Sequence, residues 1–225
     1  MSSRIVVEKN EWDRVYKDLE NEVIKTSTYD DCIIQLIGDV KNKRILDYGG
    51  GPGVIAKALK DLGANVDIYD NNERILKMAN NRLSSKNIMP DKNNIPQNTY
   101  DFALCNLVVC IVEDDEVVDI TKDIYNALHK EGSAFVGFCN PKIYNVHESK
   151  LDIRHSGNIN YEENHEYLKE KKEGGYIVPE KHRPLEWYSK IFEEAGFLIK
   201  EISFTPEYVF KEKAINDFVI YTLKK

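Results

Sequence analysis

The chain has 225 residues, 42% hydrophobic and 31% charged, a composition that suits one globular domain with a sizeable core. A formal net charge of −7 argues against a polyanionic partner, because nucleic-acid binding leans on a basic surface. Four cysteines without a Cys-x-x-Cys pair support neither a zinc ribbon nor a thioredoxin-like site, and reduced cysteines fit a cytoplasmic protein.

In chain order, Trp12, Val15, Tyr16, Leu19 and Val23 keep helical spacing across residues 10–25. Cys32, Ile33, Leu36 and Ile37 repeat that spacing before Gly38, a helix stop. Ile45-Leu46 reads as a strand running into Asp47, a glycine loop at 49–53 and a helix-forming stretch at 54–60. Gly63 precedes an alternating strand at 65–70, and a helix carrying Ile75, Leu76, Met78, Ala79 and Leu83 follows. Residues 100–112 form a buried strand with its exit loop, too short to span a bilayer and interrupted by Asn106. An amphipathic helix at 116–129 and a short strand at 133–138 come next. Residues 141–180 break this rhythm: they are polar, rich in Tyr, His, Glu and Lys, and read as an insertion over the ligand face. A helix at 185–195, stopped by Gly196, and strands at 197–204 and 217–223 complete the chain. The last two strands are joined by a loop and not a crossover, which predicts an antiparallel final strand beside its predecessor.

The glycine loop carries the chemistry. Glycines at 49, 51 and 53 permit positive φ and let a ligand approach bare backbone. The helix after them offers free N–H groups to a carboxylate or phosphate. The dinucleotide fingerprint Gly-x-Gly-x-x-Gly fails, because Val54 stands at its third glycine, and no Gly-Lys-Ser/Thr follows for a phosphate loop. Asp70, about twenty residues past the loop, suits the vicinal hydroxyls of a ribose or, as a bland alternative, caps the next helix.

The order of apolar strand, Asp47 and alternate glycines resembles the first motif of class I S-adenosylmethionine-dependent methyltransferases. Further stretches resemble the same family. Asp91, ahead of Ile95-Pro96, is similar to its adenine-side acid, and Tyr100-Asp101 with the strand to Asn106 to its fourth motif. Lys130-Glu131-Gly132 is similar to its structural Lys-Pro-Gly-Gly turn, with Glu131 in place of proline. His182-Arg183-Pro184-Leu185 resembles a segment of the small-molecule, ubiquinone-methyltransferase-like group. The resemblance implies a Rossmann-like, doubly wound, seven-stranded and mostly parallel sheet, with an antiparallel last strand, N-terminal helices and an inserted cap. It divides the single domain 1–225 into a helical cap (1–40), a cofactor-binding core (41–140), a substrate-covering insertion (141–183) and core completion (184–225).

It further implies S-adenosylmethionine held by Asp47, Gly49, Gly51, Gly53, Asp70, Asn71, Asp91 and Asn106. Tyr16, Tyr29, His182 and Arg183 face the substrate in this reading, with His182 the candidate base. The alternative for His182-Arg183 is a structural pair anchoring the insertion to the core. The remaining histidines lack ligand spacing, so no metal is expected. The expected acceptor is a small-molecule oxygen, nitrogen or carbon nucleophile, without nucleic acid or a membrane span, and a homodimer is the candidate assembly. A tRNA or protein methyltransferase, a nicotinamide-dependent oxidoreductase and a non-catalytic cofactor-binding partner subunit are the rival readings.

Overall fold

The central strand β1 (Arg44–Tyr48) is buried along four of its five residues, which demands cover on both faces. A computed structural model describes residues 5–7, 11–15, 23–83 and 88–225. The chain enters through an α-helical turn at Val23–Lys25, passes through a π-helical segment at Thr26–Asp30, and continues as α1 (Asp31–Ile37), ended by Gly38 at φ 76°. After β1 come α2 (Val54–Asp61), β2 (Asn65–Tyr69), α3 (Glu73–Leu83) and the short β3 (Ile88–Met89). The Asn72 side chain accepts the Arg74 and Ile75 N–H groups at the start of α3, a polar cap for its free donors. Then follow β4 (Tyr100–Asn106), α4 (Asp114–Ala127) and β5 (Leu128–Cys139). A Glu113/Glu116 capping box opens α4.

The chain next builds three short strands, β6 (Asp152–His155), β7 (His165–Lys171) and β8 (Ile177–His182). It returns through α5 (Leu185–Glu194), β9 (Leu198–Phe204), the small strands β10 (Tyr208–Phe210) and β11 (Lys213–Ile215), and β12 (Phe218–Lys224). The main sheet has seven strands in the order β3-β2-β1-β4-β5-β12-β9. Strands β1 to β5 pair in parallel, while β12 runs antiparallel to both neighbours, between β5 and β9. This is the sheet the sequence predicts, with the final strand beside its predecessor. Ile33, Ile55, Leu59, Leu76 and Ala79 pack one face through α1, α2 and α3, and Val117, Ile124, Tyr188 and Phe192 pack the other through α4 and α5. Among the described residues no helix is long and apolar enough to cross a membrane.

Three features depart from the sequence reading. Residues 10–25 are not one helix. Trp12–Arg14 make a 3₁₀ turn and residues 16–22 lie outside the described ones. The i,i+3 spacing of Trp12 and Val15 serves a three-residue turn equally well, and both join a cluster with Tyr176 and Val178. The connection before β12 holds the β10–β11 hairpin. The turn at Lys130-Glu131-Gly132 lies within β5, where Glu131 takes φ 70° and the pairing to β4 shifts.

Sequential strands place β1 between β2 and β4, so the chain reverses direction across the sheet at β1/β4, where open α/β sheets leave a crevice. Tyr29 is fully buried beside it, and its ring lies so close over β5 that a Cβ on Gly137 would fall inside its hydroxyl. Gly137→Ala is therefore expected to destabilise the fold by about 2–3 kcal/mol, read as a lower urea midpoint with an unchanged slope.

Candidate functional site

The loop after β1 is tied to the end of β2. The Gly49 and Gly50 N–H groups donate to the Tyr69 carbonyl at 2.7 and 3.1 Å. The Gly51 N–H donates to Asp70 Oδ2 at 3.0 Å, and Asp70 Oδ1 accepts the Asn72 N–H at 2.9 Å. Gly50 allows the loop to close over β1, since a Cβ there would lie 2.7 Å from Asp47 Oδ2. Gly51, at φ 54°, has nothing within 4 Å of the position a Cβ would take. Its open side belongs to a cavity of about 430 Å³.

Asp47, Gly49, Gly51, Asp70, Asn71 and Asn106 all line that cavity. Asp47 is 2% exposed at the end of β1. Burial raises its carboxyl to about 7, the charges of Asp70 and Asp30 add to the rise, and Lys25 opposes it. Lys25, on the cavity wall, pairs with Asp30 at 2.9 Å. Burial also raises the Asp70 carboxyl, against the two backbone hydrogen bonds it accepts. Asn106 ends β4, its Oδ1 accepting the Tyr29 hydroxyl at 2.9 Å. Its Nδ2 is buried with no hydrogen-bond partner among the described residues.

Other residues singled out in the sequence are not brought to the cavity lining. Gly53 is the left-handed N-cap of α2, where a Cβ would press 3.1 Å from Ile68 Cδ1. Asp91 caps a 3₁₀ turn, its Oδ1 accepting the Asn93 N–H at 2.9 Å. Tyr29 stands behind Asn106 and holds it. His182 packs against Tyr144 and Tyr161, and its Nε2 donates to the Tyr161 carbonyl at 2.8 Å. Burial lowers its pKa, which keeps the ring neutral. Arg183 is 1% exposed and binds Asp114 Oδ1 at 2.7 Å and the Val109 and Val112 carbonyls at 2.8 and 2.6 Å. That is the structural anchor named above as the alternative to substrate contact. Tyr16 lies outside the described residues.

The sequence reading missed the opposite wall. Lys169, Lys171 and Glu180, from the β6–β7–β8 sheet, line the cavity with Cys139 at the end of β5. A Lys-x-Lys alternation within a strand was the available signal, since residues two apart share a face. Cys110, Cys139 and Glu180 offer atoms within 4.8 Å of one another, but the Lys169 ammonium donates both to Cys139 Sγ, at 2.7 Å, and to Glu180. A cation already belongs to that cluster.

A family model described as a methyltransferase domain matches residues 27–201. No curated protein matches the chain. Among solved structures, a candidate S-adenosylmethionine-dependent methyltransferase of Listeria monocytogenes is 20% identical, with TM-score 0.66 over 87% of this chain and 96% of that one. An S-adenosylmethionine-dependent methyltransferase of Clostridium acetobutylicum is 17% identical, with TM-score 0.61 over 96% and 98% of the two chains. The 1,6-didemethyltoxoflavin-N1-methyltransferase of Burkholderia thailandensis, solved with 1,6-didemethyltoxoflavin and S-adenosylhomocysteine, is 13% identical, with TM-score 0.59 over 95% and 86%. These structures share the fold.

The Asp47 proton has a consequence for stability. The folded state holds it up to about pH 7, whereas an unfolded chain releases it near 3.8. Its contribution to stability is complete below the lower value and is lost as pH rises through the upper one. Asp47→Asn is expected to raise the melting temperature at pH 8 by at least about 5 °C, and to flatten the fall of stability across that window. Thermal melts of both proteins over that pH range check it.

Proposed function

This chain belongs to the methyltransferase-domain family of class I S-adenosylmethionine-dependent enzymes, and we propose that it methylates a small-molecule oxygen, nitrogen or carbon nucleophile under the 141–183 segment. The observation that carries this reading is the second wall. A sheet built from that segment closes the cavity opposite the glycine loop and leaves space suited to a small acceptor. The net charge of −7 supports the same choice over RNA. So does the heterocyclic acceptor of the Burkholderia thailandensis enzyme, which shares the fold.

The residues present fit the cofactor. An open backbone at Gly51, a carboxylate at Asp70 and the Asn106 Nδ2, without a partner among the described residues, belong to one cavity. Asp70 would accept the ribose hydroxyls while keeping its bonds to Gly51 and Asn72, with Asn71 beside it. Asp47 and Lys25, of opposite sign, would hold the ammonium and carboxylate of the methionine end. Asn106 Nδ2 would donate to the same end. When bound, the cofactor supplies a methyl group made electrophilic by its sulfonium charge. The chain then contributes alignment and dryness: Val108, Ile111, Val112 and Phe218 exclude water along the cavity.

Two measurements test this. Calorimetry with S-adenosylhomocysteine is expected to show tight binding to the wild type and at least about a tenfold loss in Asp70→Ala, as for a lost charged hydrogen bond. Incubation with methyl-labelled S-adenosylmethionine is expected to label the small-molecule fraction of a cell extract. Label in tRNA or protein instead would overturn the acceptor class.

A further inference from the structure

The β6–β7–β8 sheet is inside out. Asp152, Arg154, Lys169, Lys171 and Glu180 are all buried, while Leu168 of the same sheet is 42% exposed. Register explains the gathering: Asp152 pairs with Lys171 and Arg154 with Lys169 across β6 and β7, and Val178 faces Lys169 from β8. Buried charges are costly unless paired, and apolar replacements of similar volume often hold a fold as well. Three of them, Lys169, Lys171 and Glu180, stand on the cavity wall.

These charges are layered. Lys169 and Lys171 line the cavity, whereas Asp152, their shared counter-ion, does not. Asp152 lies 3.0 Å from Lys171, 4.0 Å from Lys169 and 3.5 Å from Arg154, while Arg154 also pairs with Asp217 at 3.5 Å and Lys169 with Glu180. These cations hold its pKa far below the carboxylate range despite burial. Glu180 does line the cavity, but its oxygens already accept from Lys169, the Tyr167 hydroxyl and the Cys139 thiol. Asp152 therefore stands behind the two lysines, and Glu180 shares the cavity wall with them, paired to Lys169. Beside them the wall turns aromatic and apolar: Trp12 packs edge-on against Tyr176 at 6.3 Å, next to Val178.

We propose that the acceptor is a small planar organic acid, its ionised carboxylate docked on Lys171 and Lys169 and its flat body lying against Trp12, Tyr176 and Val178. This rests on the methyltransferase reading of the cavity and adds the chemical class of its substrate. In a water-poor site an ammonium–carboxylate contact is worth far more than at the surface, so charge dominates the choice between acceptors of equal shape.

Benzoate and benzamide are matched probes, equal in shape and different in charge. Both are titrated by calorimetry into protein saturated with S-adenosylhomocysteine. Benzoate is expected to bind at least about tenfold more tightly than benzamide. Lys171→Met should lose that preference and Lys171→Arg should keep it, both with unchanged affinity for S-adenosylhomocysteine. Lys171→Met leaves Lys169 and Arg154 beside Asp152, and a thermal melt verifies that it folds. Equal binding of the two probes, no binding of either, or a Lys171→Met variant that still prefers benzoate would overturn the proposal while the cofactor reading stands. Failure of S-adenosylhomocysteine to bind the wild type would overturn both.

Discussion

Asp70 is the residue on which the site depends. One carboxylate at the end of β2 takes the Gly51 N–H with one oxygen and the Asn72 N–H with the other. The first bond holds the glycine loop across the ends of β1 and β2, and the second sets the turn into α3. The Tyr69 carbonyl adds two more loop N–H groups, so the loop hangs from β2 as much as from its own strand. Anchoring it this way brings Asp70 close to Asp47, and burial with like charge drives the Asp47 carboxyl up to about 7.

A second constraint fixes the opposite wall. Arg183 follows β8 directly and spreads one guanidinium over the Val109 and Val112 carbonyls and the Asp114 carboxylate. The planar fork of arginine suits this better than the point charge of lysine. It locks the end of the small sheet to the loop between β4 and α4. The Lys181 N–H adds a bond to the Cys110 carbonyl at 2.7 Å. With that edge fixed, the register of β7 carries Lys169 and Lys171 onto the cavity, and the charged layer behind them follows.

Legibility differed between the two walls. The glycine-loop wall could be read because its signals are local: Asp47, Gly49, Gly51 and Asp70 sit at fixed offsets from strand ends. Asn106 stood out as a polar residue in an apolar strand, and its Nδ2 has no hydrogen-bond partner among the described residues at the cavity. Asp91 takes the turn role that its sequence context equally allowed, its carboxylate closing on the Asn93 N–H. His182 and Arg183 carried a true signal of importance, but their partners, Tyr161 and the Val109–Asp114 stretch, are distant in sequence and turn them toward structure.

The order of strands and helices, the antiparallel final strand, the cofactor loop and the family to which they belong all lie in the sequence, because apolar periodicity and glycine spacing act within a few residues. What only the tertiary structure decided is which side chains meet across the cavity. Residues 141–183 have the polarity of a surface segment; the Lys169-x-Lys171 alternation puts two charges on one face of a strand but does not say that this face points inward. That inversion arises from antiparallel pairing of β6, β7 and β8 and from the Arg183 anchor, both contacts between residues far apart in the chain. Local patterns therefore specified the glycine-loop wall of the cavity, and long-range register specified the wall opposite it.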